Sequence, residues 1–308
     1  MTATPSSARL ASVDALTNGL VDYAGLFPPA GLEMEAALRH YTACLTDPQR
    51  AMLGRFVVPA ARLEELEGVA LATVSRVGPG TPWRISALVG PDAPADAARI
   101  ADFNRRQGPG RGTGWAIVDT IEAPASTSAD LARILASRPD DVTLYVELPT
   151  ATDPSPMIAD LALVGARAKV RTGGLTAESI PSSAALVRFF RACARAAVPF
   201  KATAGLHHPI RAAYPLTYEP GAATAVMHGF VNLFVAATFV RIGVPASDAV
   251  AMLDETSPSA FAFDADGVTW RTRRATTPAI RAARANYATS FGSCSFREPA
   301  DELRGLGW

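Results

Sequence analysis

Ala166-Arg167-Ala168-Lys169-Val170-Arg171-Thr172-Gly173-Gly174 is a short apolar run that carries one lysine and stops at glycine. A second run, Pro199-Phe200-Lys201-Ala202-Thr203-Ala204-Gly205-Leu206-His207-His208, follows it after one helix-length stretch. Both come after helix-like segments. Runs of this kind read as successive strands buried on both faces of a parallel sheet. Strand alternation puts Lys169 with Arg171 on one strand face and Lys201 with Thr203 on a face of the next. These are the only lysines among 29 basic residues, the rest being arginine. Arginine holds its proton too tightly to act as base or nucleophile, whereas a buried lysine can lose its proton and attack a carbonyl. The competing reading is of two strand-end lysines that snorkel to water or pair with a carboxylate.

Working outward, the strand–helix pattern repeats along the chain. Apolar segments fall at 19–27, stopped by Pro28-Pro29, and at 55–59, 83–89, 114–119 and 142–148, the last stopped by Pro149. Helical patterns cover 33–45, 61–77, 96–106, 128–137 and 182–196. Short strands rich in Val, Ile, Leu and Ala at this regular spacing predict an α/β fold, a (β/α)8 TIM barrel, over a doubly wound sheet. No glycine fingerprint follows the first strand, which weakens the dinucleotide-binding alternative. The spacing breaks after Lys201. Residues 206–276 read as an insertion between strands 7 and 8 of a single domain spanning 1–308. It is expected near the barrel mouth or at a homo-oligomer interface. It holds an apolar helix and a hairpin over 261–270 with an Asp266-Gly267 turn. The eighth strand is expected at 287–291, leading into Gly292-Ser293-Cys294-Ser295 and a closing helix.

The chain of 308 residues is 49% hydrophobic and 19% charged, ample for a large core. Its formal net charge of +0 removes the electrostatic case for nucleic acid or an anionic membrane surface. Cys44, Cys193 and Cys294 are odd in number and lack metal-ligand spacing, so they read as reduced thiols of a cytoplasmic protein. The first nine residues show no secretory pattern. The most apolar stretch, 222–240, contains His228 and Asn232 and fits a buried or interface helix better than a membrane span.

In such a barrel, chemistry sits at the C-terminal ends of the strands. That end is expected to collect Asp22, Asp119, Glu147, Lys169, Arg171, Lys201, Thr203, His207, His208 and the 292–295 turn. These residues resemble the deoxyribose-phosphate aldolases, class I aldolases on a (β/α)8 barrel. Lys169-Val170-Arg171-Thr172-Gly173-Gly174 resembles the family segment whose lysine forms the Schiff base. Lys201-Ala202-Thr203-Ala204-Gly205 resembles the segment whose lysine tunes the first. Phe291-Gly292-Ser293-Cys294-Ser295 resembles the family's closing turn. The Val21–Pro28 and Tyr145–Glu147 stretches match weakly. The chain departs from the pattern at Arg171, Ala204 and Cys294, and His207-His208-Pro209 has no counterpart; the departures bear on a phosphorylated substrate rather than on the fold or the amine chemistry.

The expected chemistry is imine catalysis of a lyase, without cofactor, on a small-molecule carbonyl. Lys169 is the nucleophile and Lys201 its partner, with Asp119 or Asp22 relaying protons. Two cations about 7 Å apart at an effective dielectric of about 20 repel by roughly 2 kcal/mol. That is too little to neutralise a lysine, so burial or Arg171 must supply the rest. Arg171, Thr172, Glu147, Thr203, Gly205, His207, His208, Ser293 and Ser295 are the candidate substrate contacts, with Glu147 equally placed to pair with Arg171. The alternatives are a different imine-forming enzyme (dehydratase or decarboxylase), a metal enzyme built on His207 and His208, and a non-catalytic anion-binding barrel. Adjacent histidines usually point apart and no third ligand shows a recognisable spacing, which disfavours the metal.

Overall fold

A computed structural model describes residues 9–73, 82–110 and 114–308. The strands in chain order are β1 (Val21–Tyr23), β2 (Leu53–Pro59), β3 (Trp83–Leu88), β4 (Ala116–Pro124), β5 (Thr143–Leu148), β6 (Arg167–Arg171), β7 (Phe200–Thr203), β8 (Ala212–Pro215), β9 (Thr224–Met227), β10 (Phe261–Phe263), β11 (Gly267–Trp270), β12 (Arg273–Thr276) and β13 (Ala288–Ser293). The helices are α1 (Ala11–Thr17), α2 (Met34–Leu45), α3 (Leu63–Thr73), α4 (Ala93–Gln107), α5 (Ser128–Ala136), α6 (Ser155–Leu163), α7 (Ser183–Ala196), α8 (Phe230–Arg241), α9 (Ala246–Asp254), α10 (Thr277–Asn286) and α11 (Arg297–Gly305).

Strands β1 to β7 and β13 close an eight-stranded parallel barrel in the order β1-β13-β7-β6-β5-β4-β3-β2. The chain is a (β/α)8 barrel. The strands are short because each must bury both faces, one against the barrel interior and one against the helices. Local signals delimit the helices: Asp92, Ser182 and Thr276 cap α4, α7 and α10, and Thr127 with Asp130 forms a reciprocal capping box on α5. Phe189 and Phe190 of α7 close on Phe200 of β7, which also meets Tyr287 edge-on, and this packing seats the second lysine strand.

Two strand boundaries at the site differ from the sequence reading. The fourth strand runs on past Asp119 to Pro124, five residues beyond the expected end. The eighth lies at Ala288–Ser293. The part of the expected 61–77 helix beyond Thr73 lies outside the described residues. The 206–276 stretch is also not a single excursion. The β8–β9 hairpin stands over the barrel mouth, and the β10–β12 meander, with the expected hairpin as its first two strands, packs on α1 and α10. Between them, α8 lies against α7, α10 and β13 as a helix of the outer layer. Residues Phe230–Val240 are all buried there, which is why this stretch is apolar all round. Among the described residues, no helix is long and apolar enough to cross a membrane.

The loops after β6 and β7 touch at backbone distance. A methyl group on either Gly173 or Gly205 would lie 2.8 Å from the other's Cα, and Gly205 also has φ +74°. Ala204 beside it has φ +62°, a left-handed conformation that costs an L-residue roughly 1–2 kcal/mol. Gly205→Ala should therefore destabilise the fold by about 1–3 kcal/mol, and Ala204→Gly should stabilise it by up to about 1 kcal/mol. Denaturant unfolding of the two variants checks both signs.

Candidate active site

Lys169 and Lys201 are register partners on β6 and β7, and Glu147 of β5 is in register with Lys169. All three side chains point inward and line a cavity of about 350 Å³ at the C-terminal mouth of the barrel. The residue that joins them is Glu122, near the end of β4. Its Oε1 accepts from Lys201 Nζ and from Ser86 Oγ, both at 2.6 Å, and its Oε2 lies 2.7 Å from Lys169 Nζ. Lys201 also donates to Asp22 Oδ2 at 2.6 Å, and Ser290 Oγ donates to the same oxygen at 2.9 Å. The backbone N–H of Arg55 satisfies Asp22 Oδ1. Lys169 has a second carboxylate, Glu147 Oε2 at 2.9 Å, whose other oxygen accepts from Arg171 Nε at 3.0 Å. Three cations (Lys169, Lys201, Arg171) thus alternate with three anions (Asp22, Glu122, Glu147) in one continuous network.

The electrostatics follow from distance. Opposite charges about 3 Å apart at an effective dielectric of about 20 attract by roughly 5 kcal/mol, and like charges twice as far apart repel by half that. The carboxylates therefore dominate. Burial alone would raise the Glu122 carboxyl, but the two ammonium groups outweigh it and hold it well below the usual range. Burial alone would lower Lys201, but Asp22 and Glu122 outweigh it and hold the ammonium above the ordinary lysine range. Glu147 is likewise lowered, burial being outweighed by Lys169 and Arg171. The expectation that Lys201 and Arg171 act as bare neighbouring cations on Lys169 is corrected here, because a carboxylate stands between Lys169 and each of them. Both lysines are buried, Lys201 at 1% and Lys169 at 6% side-chain exposure, but the carboxylates on Lys201 are both buried whereas Glu147, beside Lys169, keeps 21% of its side chain in contact with solvent.

Asp22 joins Lys201 from the first strand. Asp119 does not. Its carboxylate is taken by Arg55 and Arg84, whose charges outweigh burial and lower its pKa. The reason is the strand boundary. Since β4 continues to Pro124, Asp119 sits well before the strand's C-terminal end and Glu122 reaches the lysines instead. Glu122 was legible in one signal: other strands stop at Pro59, Gly90 and Pro149, and the stop after Asp119 is Pro124.

Arg171, Glu147, Thr203, Gly205, His207 and His208 line the cavity. Thr172, Ser293 and Ser295 are not among its lining residues. Thr172 Oγ1 donates to the backbone carbonyls of Thr203 and Ala204, tying the two lysine strands' exits together. Ser293 lies on β13 next to Gly292, which does line the cavity, and its Oγ accepts from Ser295 N–H. Ser295 Oγ accepts from Glu298 N–H at the start of α11. These hydroxyls build the loops rather than reach into the site. Cys294 does reach the cavity, but burial raises its thiol pKa. His207 and His208 diverge to different glutamates, Glu298 at 3.0 Å and Glu302 at 2.8 Å. Among the described residues no group of three or more His, Cys, Asp or Glu is arranged to hold a metal ion.

Glu122→Gln leaves two buried ammonium groups short of a carboxylate and should cost about 3–5 kcal/mol at neutral pH. The sign with pH follows from the lowered carboxyls. Their stabilisation is present above the unfolded carboxylate value of about 4.3 and is lost as pH falls through the folded values. Wild-type stability should therefore drop more steeply below about pH 4.3 than that of the Gln variant, as read by urea unfolding at pH 7 and pH 3.5. Comparisons with protein-family models, with curated proteins and with solved structures found no match.

Proposed function

We propose that the chain is a Schiff-base lyase of the class I aldolase type, making or breaking a C–C bond next to an aldehyde or ketone carbonyl. One observation carries this reading: Lys169 lines the mouth cavity with its Nζ between two carboxylates, and a second, sealed lysine stands behind the shared Glu122. The resemblance of the two lysine segments to deoxyribose-phosphate aldolases points the same way.

The roles divide by geometry. Lys169 is the nucleophile. Of the two carboxylates on Lys169, Glu122 is 3% exposed and tied to both lysines while Glu147 is 21% exposed, so Glu147 takes the Lys169 proton when the amine attacks. The carbinolamine loses water with a proton returned by the same carboxyl, and the protonated imine forms where the ammonium stood. The imine withdraws the electron pair of the neighbouring C–C bond, leaving an enamine. Lys201 stays charged and anchors Glu122 and Asp22, so it orients the site without reacting. The small-molecule carbonyl partner and a cytoplasmic location belong to the same reading, and the latter is supported by three free, buried cysteines.

Two measurements test the proposal. Sodium borohydride with a panel of small aldehydes and ketones should leave a reduced adduct on the peptide containing Lys169, and none in Lys169→Arg. Absence of any adduct in folded protein would overturn the reading. Glu147→Gln should slow adduct formation by about 10²–10⁴-fold, measured as the rate of borohydride-trappable inactivation.

A further inference from the structure

His207 lines the same cavity as Lys169 and takes no part in the lysine–carboxylate network. Its Nδ1 lies 3.0 Å from Glu298 Oε2, and Tyr218 OH donates to that oxygen at 2.6 Å. Burial pushes the Glu298 carboxyl up, but the hydrogen bonds from His207 and Tyr218 outweigh it, so the group is ionised at neutral pH. An ionised carboxylate only accepts, so the proton of a neutral His207 ring sits on Nδ1 and the lone pair on Nε2. Nε2 has no hydrogen bond to a described residue. Burial holds Tyr218 in its neutral, donating form. The parts come from three places: His207 from the loop after β7, Glu298 from α11 and Tyr218 from the β8–β9 connection. The arrangement is a base with a carboxylate behind it that sets its tautomer and its orientation.

His208 is the less suited of the pair. Its ring is stacked on Tyr214 at a centroid distance of 3.5 Å and an interplanar angle of 12°, and Glu302, its partner, is 41% exposed.

We infer that His207 is the catalytic acid–base of the cavity, positioned by Glu298 and Tyr218, and that its Nε2 moves the protons of the carbon–carbon step. This rests on the imine reading above. With a ketone held as a protonated imine on Lys169, Nε2 removes a proton from the carbon next to the imine carbon. The C–H pair becomes the enamine double bond and the imine π pair goes to nitrogen. Return of the proton from the imidazolium reverses the step. In cleavage, the same nitrogen takes the proton of the hydroxyl one carbon further out. The C–C pair enters the enamine and the O–H pair becomes the new carbonyl. A substrate carrying a hydroxyl β to its carbonyl is the class this arrangement suits.

Acetone in D₂O is the probe. Wild-type protein should exchange the methyl protons of acetone, followed by proton NMR, and should be trapped on Lys169 by borohydride. In His207→Ala, exchange should fall by about 10²–10⁴-fold while trapping stays within threefold, and added imidazole should restore exchange at least tenfold. Glu298→Gln should lower exchange about tenfold, and His208→Ala less than tenfold. Unchanged exchange in His207→Ala overturns the assignment, as does loss of exchange in His208→Ala instead. Joint loss of trapping and exchange in folded His207→Ala also overturns it, by giving His207 a merely structural role. No trapping in wild type is the distinct failure of the imine reading itself.

Discussion

The Glu122 carboxylate, closed on both sides by ammonium groups, is the constraint on which the barrel interior turns. Its two oxygens are each within 2.7 Å of a lysine nitrogen, and it is 3% exposed. Removing such a charge from water costs several kcal/mol, which only close, well-directed partners offset. Its direct partners are Ser86 of β3 and the lysines of β6 and β7, and these draw in Asp22 of β1, Glu147 of β5 and, through Asp22, Ser290 of β13. Each link therefore fixes the register of a strand as well as a charge. A barrel filled with apolar side chains would be at least as stable. A network of this cost at the mouth end of the strands is consistent with a chemical role better than with a structural one.

The parts of this design legible in the sequence are those set by local pattern. The repeat of short apolar runs and helical stretches gives the barrel, because strand and helix periodicity are properties of neighbouring residues. The lysines stand out because arginine replaces lysine everywhere else. What local pattern cannot carry is pairing across the barrel. Glu122 lies 79 residues from Lys201 and looks, in sequence, like a charged residue past the end of a strand. Asp119 looks like a strand end and is instead a partner of Arg55 and Arg84, a pairing equally invisible in one dimension. The stretch after β7 misleads for a related reason. Its length hides that α8 belongs to the outer layer. Thr172, Ser293 and Ser295 read as ligand contacts because polar residues next to glycine at strand exits often are. Here the backbone claims them first.

The network also bears on the amine chemistry proposed for the site. Repulsion between two lysines would assist nucleophilic attack by destabilising an ammonium. Here the immediate neighbours are carboxylates instead: Glu122 lies at 2.7 Å and Glu147 at 2.9 Å from Lys169 Nζ. In the proposed mechanism Glu147 holds the proton nearby while the amine attacks. The protonated imine, by contrast, carries its charge on the same nitrogen, between the same two carboxylates. On that reading, two carboxylates already in place around the iminium nitrogen would stabilise the intermediate more than the uncharged amine that precedes it, which is the sense in which a site accelerates a reaction. The net charge of the network is the same with iminium as with ammonium, Glu147 having taken and returned one proton between them. The sealed Lys201 secures this by holding Glu122 and Asp22 in place throughout, and the cavity side of Lys169 is left for the substrate.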